Sequence, residues 1–450
     1  MQLTPTIDAI AQAASQNSGF SLRPVHEARF GPVLGARSFV LDNGLTIVLA
    51  EDHRAPIFAY QTWFRVGSKD EDPNLTGIAH LFEHLMFKGT TRFASGTFDD
   101  EMGRRGAQTN AATWVDWTYY TQALAARGDN LEAVLTFESD RMVNLVLDTD
   151  TFKSELEVVK NERRMSVDDA VSGAMSEALM AQSFTKHPYR WPTIGSMAHL
   201  EAATLDDLRA FYRAYYAPNN ATVVLVGDLE PVATLAEVAR AYGPLAAQPM
   251  PTRQNTPEPR QTEARQKVLK RQVLSPQVVM GFHGPAQGTP DHYAMEMLTD
   301  ILTEGDTGRL HRRLVTEERL ASEISGFLTP FAEPGLFELH MNLNRDADPH
   351  RAVAIVHEEL GRVPLGLSQE EMDKARYGLE LSVYDGLKDV EGMAEALGHA
   401  QTNTQDFRAA FEAPGHYAAT GAERLIACSQ QYLRPDNVSV VMALPGKEAL

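Results

Sequence analysis

The sequence predicts an α+β fold of two homologous domains, each an antiparallel sheet packed with helices. Three observations lead there. Strand and helix patterns mix without strict βαβ alternation. One proline-rich break, residues 247–265 ("AQPMPTRQNTPEPRQTEAR"), separates flanks of roughly 200 residues, and Pro249, Pro251, Pro257 and Pro259 exclude both a helix and a central strand there. The two flanks also end alike: "LRAFYRAYYAPNNATVVLVGDL" and "LIACSQQYLRPDNVSVVMALPG" each read as a helix, a Tyr, a Pro-containing turn and a β-branched strand. Tyr215, Pro218, Asn220 and Val223 match Tyr432, Pro435, Asn437 and Val440 at one offset of 217 residues. The expected division is an N-terminal segment 1–26, a first domain 27–246, a linker 247–265 and a second domain 266–450.

Along the first half, "SFVLDNGLTIVLAED" (38–52) is strand, Asn-Gly turn, strand, a strong hairpin signal. "IFAYQTWFRVGS" (57–68) alternates as a strand. "TGIAHLFEHLMFKG" is a helix with Thr76 as its expected cap and Gly89 as its expected end. "NAATWVDWTYYTQAL" (110–124) is a strand interrupted by a bulge or turn near Asp116. "NLEAVLTFESDRMVNL" and "DTFKSELEVVKNERRMSVDD" carry helical spacing.

Composition narrows the function. With 43% hydrophobic residues the chain can bury substantial cores, and no stretch approaches the roughly 18 apolar residues of a membrane span. A formal charge of −19 argues against a nucleic-acid partner and suits a cationic or neutral ligand. The N-terminus shows neither a basic leader nor an apolar core, as in a chain without an export signal or one whose leader has been removed. A single cysteine, Cys428, excludes an internal disulfide and reads as a small core residue.

The chemistry concentrates in "AHLFEHL". Positions i and i+4 share a helix face, so His80 and His84 can turn imidazole nitrogens toward one ion, with Glu83 beside them. Zinc accepts two such ligands and one more from the protein, keeping a position for water, and a neighbouring carboxylate can take a proton from that water and return it to a leaving amine. A His-x-x-Glu-His string arises by chance in roughly a few per cent of comparable chains, so a third ligand matters. Glu155 and Glu162, seven apart, share the face of a second helix: one can complete the ligand set while the other steadies a ligand.

"GIAHLFEHLMFKGT", "NAATWVDWTYY", "EVVKNERR" and "HPYRWPTIGS" together resemble the pitrilysin/insulinase metallopeptidases, the inverzincins, over nearly the whole chain. The resemblance is to the two-domain bacterial type and to the mitochondrial processing peptidase beta subunit. It implies one Zn2+ per chain held by His80, His84 and Glu162 in the first domain, with Glu83 as general base and Glu155 as an acid behind the ligands. It also implies an edge strand, Asn110, Ala111, Ala112 and Thr113, to which an extended peptide adds as another strand while Asn110 holds its backbone. Two domains are half of the clamshell that encloses peptides in this family.

One departure bears on partnership. Catalytically complete members carry an Arg and, seven positions later, a Tyr that approach the substrate carbonyl. In "RLHRRLVTEERLASEIS" those positions are Val315 and Ser322. The resemblance therefore implies a heterodimer in which a homologous subunit without the zinc motif supplies the pair, with a homodimer as the alternative. The expected activity is zinc-dependent hydrolysis of short or unfolded peptides. Presequence processing and a non-catalytic scaffold are the alternatives, and a periplasmic setting is favoured over a cytoplasmic one. Other conspicuous residues read as structural: His53 as a surface or interdomain residue, His187 as ordering a loop, the methionines of "AMEML" as core. "EGDTGRLHRRL" lacks the Lys-Ser/Thr of a phosphate cradle.

Overall fold

A computed structural model describes residues 5–31, 34–253 and 256–446, so residues 1–4 of the expected N-terminal segment and 254–255 of the expected linker lie outside it. The chain forms two compact units. Of the described residues, the first comprises 5–31, 34–160, 193–253 and 385–411, and the second 161–192, 256–384 and 412–446.

In the first unit, strands β1 (Leu22–Phe30), β2 (Leu34–Leu41), β3 (Thr46–Glu51), β4 (Ile57–Phe64), β5 (Gln108–Thr113), β6 (Thr118–Ala125) and β7 (Ala221–Gly227) form one sheet in the order β1-β2-β3-β7-β4-β6-β5. The Asn-Gly turn joins β2 to β3 as the sequence predicts. The interrupted strand resolves into a hairpin: Trp114 N–H donates to Trp117 O at 2.8 Å, and buried Asp116 pairs with Lys69 at 2.6 Å. β7 is buried along its whole length because it is inserted between β3 and β4, which explains its continuous apolar run "ATVVLVG".

The second unit repeats the plan with β8 (Arg265–Arg271), β9 (Gln277–His283), β10 (Ala321–Leu328), β11 (Leu336–Leu343) and β12 (Val438–Pro445), in the order β10-β11-β9-β12-β8. The segment β3-β7-β4-β6-β5 corresponds strand for strand to β8-β12-β9-β11-β10. Even a turn bond recurs: Asn220 Nδ2 donates to Tyr215 O at 2.9 Å and Asn437 Nδ2 to Tyr432 O at 2.7 Å. The fold class is α+β, but neither sheet is purely antiparallel, since β3/β7 and β12/β8 run parallel. The reason is topological: the last strand of each repeat returns from a long helical excursion, and such a crossover permits a parallel neighbour.

Each unit takes a helix from the other half of the sequence. Val390–Thr404 packs on β4 and β7, and Val171–Ser183 packs on β8, β9 and β12. The first of these approaches needs a glycine, because a Cβ on Gly398 would stand 2.1 Å from Trp63 Nε1. In the second unit Met295, Met297, Leu298 and Phe282 belong to the core, as the methionine spacing predicts. Cys428 is also core; its thiol donates to Asp291 Oδ1 at 3.1 Å, and burial pushes it up to about 12. Among the described residues, no helix is long and apolar enough to cross a membrane.

Glu371, in the first turn of the helix Gln369–Gly386, accepts two bonds from Arg309 (2.6 and 2.9 Å) and one from Ser368 N–H (2.9 Å). The Arg309 bond holds its carboxyl down at about 2. A depressed carboxyl contributes stability that is present above its unfolded value of about 4.5 and is lost as pH falls toward 2. Glu371→Gln is expected to cost about 1 kcal/mol at pH 7, after allowance for solvent screening. The difference in urea midpoint from the parent should narrow steadily between pH 5 and pH 3; a constant difference would contradict this account.

Candidate metal centre

The histidine helix, Ile78–Leu85, buries Ile78, Leu81, Phe82 and Leu85 and leaves His80, Glu83 and His84 half-buried on the opposite face. It is shorter than expected and begins differently. Gly77, with φ of 95°, stands at the N-cap, and a Cβ there would lie 2.6 Å from Ile194 O, so glycine is required. Thr76 does not cap the helix. Its hydroxyl bonds His199 Nδ1 at 2.9 Å and accepts from Ser196 N–H at 3.2 Å. The helix N–H groups go to Glu71 instead, whose carboxylate accepts from Gly77 at 3.0 Å and Ala79 at 2.8 Å. Burial pushes the Glu71 carboxyl up to about 8 against the pull of those N–H groups.

The glutamate helix, Thr149–Arg163, brings Glu162 to the histidines and is followed by a π-helical turn, Arg164–Asp168. Ligand atoms of His80, His84 and Glu162 all lie within 4.8 Å of one another, and the imidazole centroids are 4.9 Å apart at 77°. Two imidazoles and a carboxylate suit zinc with one position open. Glu155, one helical face with Glu162, is 8% exposed; its Oε1 pairs with Lys88 Nζ at 2.8 Å and its Oε2 stands 3.7 Å from His84 Nδ1. That contact is ionic in range and favours His84 presenting its other nitrogen, Nε2, away from Glu155.

Glu83 is held by the last residue of β5. Thr113 Oγ1 donates to Glu83 Oε2 at 2.6 Å. β5 is the sheet's edge strand: Asn110, Ala111, Ala112 and Thr113 pair with Thr121, Tyr120, Tyr119 and Thr118 of β6 on one side only. Asn110 is exposed, and Ala111 and Ala112 are half-buried. Tyr119, beside Ala112, is pushed up to about 12 by burial and then by Glu395, Glu83 and Glu391.

The remaining candidates lie elsewhere. His53 is on the surface, with Nδ1 2.7 Å from Asp228, whose carboxylate raises its basicity. His187 orders a loop of the second unit, accepting from Tyr189 N–H at 3.2 Å and meeting Glu333 at 3.1 Å. Val315 packs against the second unit's core, and Ser322 donates to Asn342 O at 3.1 Å. Three residues beside the site were not singled out from sequence: Glu71, Lys88 and Arg141. Lys88 had a local signal, four residues after His84 on a helical repeat. Glu71 had none, since its partners are backbone groups of the histidine helix, and Arg141 showed only an i,i+3 pairing with Glu138 that does not point to the site.

Residues 46–196 match the family described as insulinase (peptidase family M16), and residues 202–379 match its peptidase M16 inactive domain. Zinc protease PqqE of Helicobacter pylori is 30% identical over 372 residues, spanning 80% of this chain and 81% of that protein. A solved protease from Helicobacter pylori superposes with a TM-score of 0.87 at 26% identity, covering 92% of this chain and all of that one. The periplasmic protease PqqL from Escherichia coli superposes at 0.77 and 19% identity; 94% of this chain covers 48% of it.

Proposed function

The chain belongs to the insulinase family, peptidase family M16, and from that premise we propose that it is a zinc-dependent endopeptidase for short or unfolded peptides, the zinc-bearing subunit of a heterodimer. The observation that carries this reading is the meeting of His80, His84 and Glu162 beside a Glu83 carboxylate that Thr113 holds in place.

His80, His84 and Glu162 would hold the zinc ion, which would supply Lewis acidity toward water and a carbonyl oxygen. Glu83 takes the proton of the attacking water and delivers it to the leaving amine. The Thr113 hydroxyl holds the Glu83 side chain in its rotamer. Glu155 orients His84. The peptide lies along the open edge of β5, where main-chain bonds to Asn110, Ala111 and Ala112 grip backbone and tolerate varied side chains.

Val315 and Ser322 have no group that donates strongly to an oxyanion. A homologous subunit supplies the Arg/Tyr pair and closes the chamber. PqqL, of which this chain covers 48%, offers a second half in the same polypeptide, which supports a two-part enzyme; it is also a periplasmic protease, which supports that setting here. The non-catalytic alternative is disfavoured because the zinc ligands and the base are all present.

Peptide hydrolysis with metal analysis tests this. The chain alone is expected to bind one zinc ion and to cleave only after mixing with its homologue that lacks the zinc motif. Full activity of the lone chain would remove the heterodimer, and absence of zinc would remove the enzyme. Within the site, Thr113→Val is expected to lower kcat about tenfold with zinc content unchanged, the effect of losing one charge-assisted hydrogen bond. An unaltered kcat would leave Thr113 with a packing role only.

A further inference from the structure

An isolated helix of eight residues is not stable in water, and its first N–H and last C=O groups have no partners within the helix. The histidine helix, which carries His80, Glu83 and His84, must therefore be fixed by its surroundings. At its N-terminus stands Glu71, 8% exposed, bonded to Gly77 and Ala79 N–H. The neighbouring cations point elsewhere: Lys69 pairs with Asp116 at 2.6 Å and Arg253 with Asp70 at 2.9 Å. At its C-terminus stands Arg141, 3% exposed, on the helix Asn130–Asn144. Arg141 Nη1 donates to Met86 O at 3.4 Å, and its guanidinium lies over the rings of Phe87, Phe98 and Tyr120 at 5.2, 4.9 and 4.6 Å. Glu138, itself 3% exposed, pairs with it at 2.6 Å.

Acceptors thus meet the first N–H groups of this helix and a donor meets its C-terminal carbonyl, so end groups that the helix itself leaves unbonded find partners. Burying such groups costs free energy that only specific partners offset. Apolar packing holds the buried face of the helix, and Glu71 and Arg141 hold its two ends.

We propose that Glu71 and Arg141 are positioning residues of the metal site: by gripping both ends of the histidine helix they set the directions in which His80 and His84 project. This deepens the metal-centre reading and rests on it.

The test uses the full chain and reads the metal. Zinc affinity is measured by competition with a chromophoric chelator, and the visible bands of the Co2+-substituted protein report ligand geometry. Glu71→Met and Arg141→Met are expected to weaken zinc binding tenfold or more and to shift the Co2+ bands. Glu71→Gln and Arg141→Lys, which keep one acceptor or one donor, should recover most of the affinity. Leu298→Ala, a core change in the second unit, controls for lost stability and should leave affinity and bands unchanged. Met variants that bind zinc as Leu298→Ala does would overturn the inference. Should they fail to fold, Glu71→Asp and Arg141→Gln, whose shorter side chains loosen the grip, decide it: shifted Co2+ bands with weakened affinity support positioning, unchanged bands with parental affinity overturn it. Failure of the metal reading is a separate result, in which the parent binds no zinc or His84→Ala binds it equally well.

Discussion

Glu83→Gln is expected to abolish peptide hydrolysis, lowering kcat by about a thousandfold or more, while the protein keeps its fold and its zinc. Glutamine is isosteric with glutamate and still accepts the Thr113 hydroxyl, so the contact at 2.6 Å survives. What disappears is the basic oxygen. General base catalysis contributes roughly 10²–10⁴ in rate, and here one group serves twice, first taking a proton from water and then giving it to the amine. Because Glu83 lies outside the His80, His84 and Glu162 set, metal content by atomic emission should equal that of the parent. Substantial residual activity would assign the proton transfers to another group, and loss of zinc would make Glu83 a ligand.

The second large effect is on metal retention. Structural zinc sites bind with about 10–16 kcal/mol, so each of three or four ligands carries about 3 kcal/mol, or about a hundredfold in affinity. His84→Ala and Glu162→Gln are each expected to weaken zinc binding by about that factor and to eliminate activity at chelator-buffered zinc. The two should differ in stability. His84 is half-buried with its Nδ1 3.7 Å from Glu155, so removing it takes away a partner of a buried carboxylate. Calorimetry of the metal-free forms should therefore show the larger loss for His84→Ala. Parental zinc affinity in either variant would exclude that residue from the ligand set.

Much of the fold is readable because its signals are local. The β2–β3 hairpin rests on an Asn-Gly pair, β7 on an unbroken apolar run, and the histidine helix on a buried face formed by Ile78, Leu81, Phe82 and Leu85. The readings that needed correction depended on partners distant in sequence. Thr76 has the chemistry of a helix cap, yet its hydroxyl is taken by His199, 123 residues away, and the capping role passes to Glu71 across a loop. The expected antiparallel sheets each contain one parallel pair, β3/β7 and β12/β8, because strand direction is decided by where a returning strand inserts, which no local pattern encodes.

By itself, the sequence determined the α+β class, the internal repeat and the residue types for one candidate metal site, because periodicity, turn chemistry and i,i+4 spacing operate over a few residues and survive in any tertiary context. Only the tertiary structure decided that Glu162 reaches His80 and His84, that Thr113 holds Glu83, that Glu71 and Arg141 grip the histidine helix, and that each unit takes a helix from the other half of the chain. Those contacts join groups separated by tens to hundreds of residues. They form where packing brings a donor and an acceptor within about 3 Å, a condition set by the whole fold.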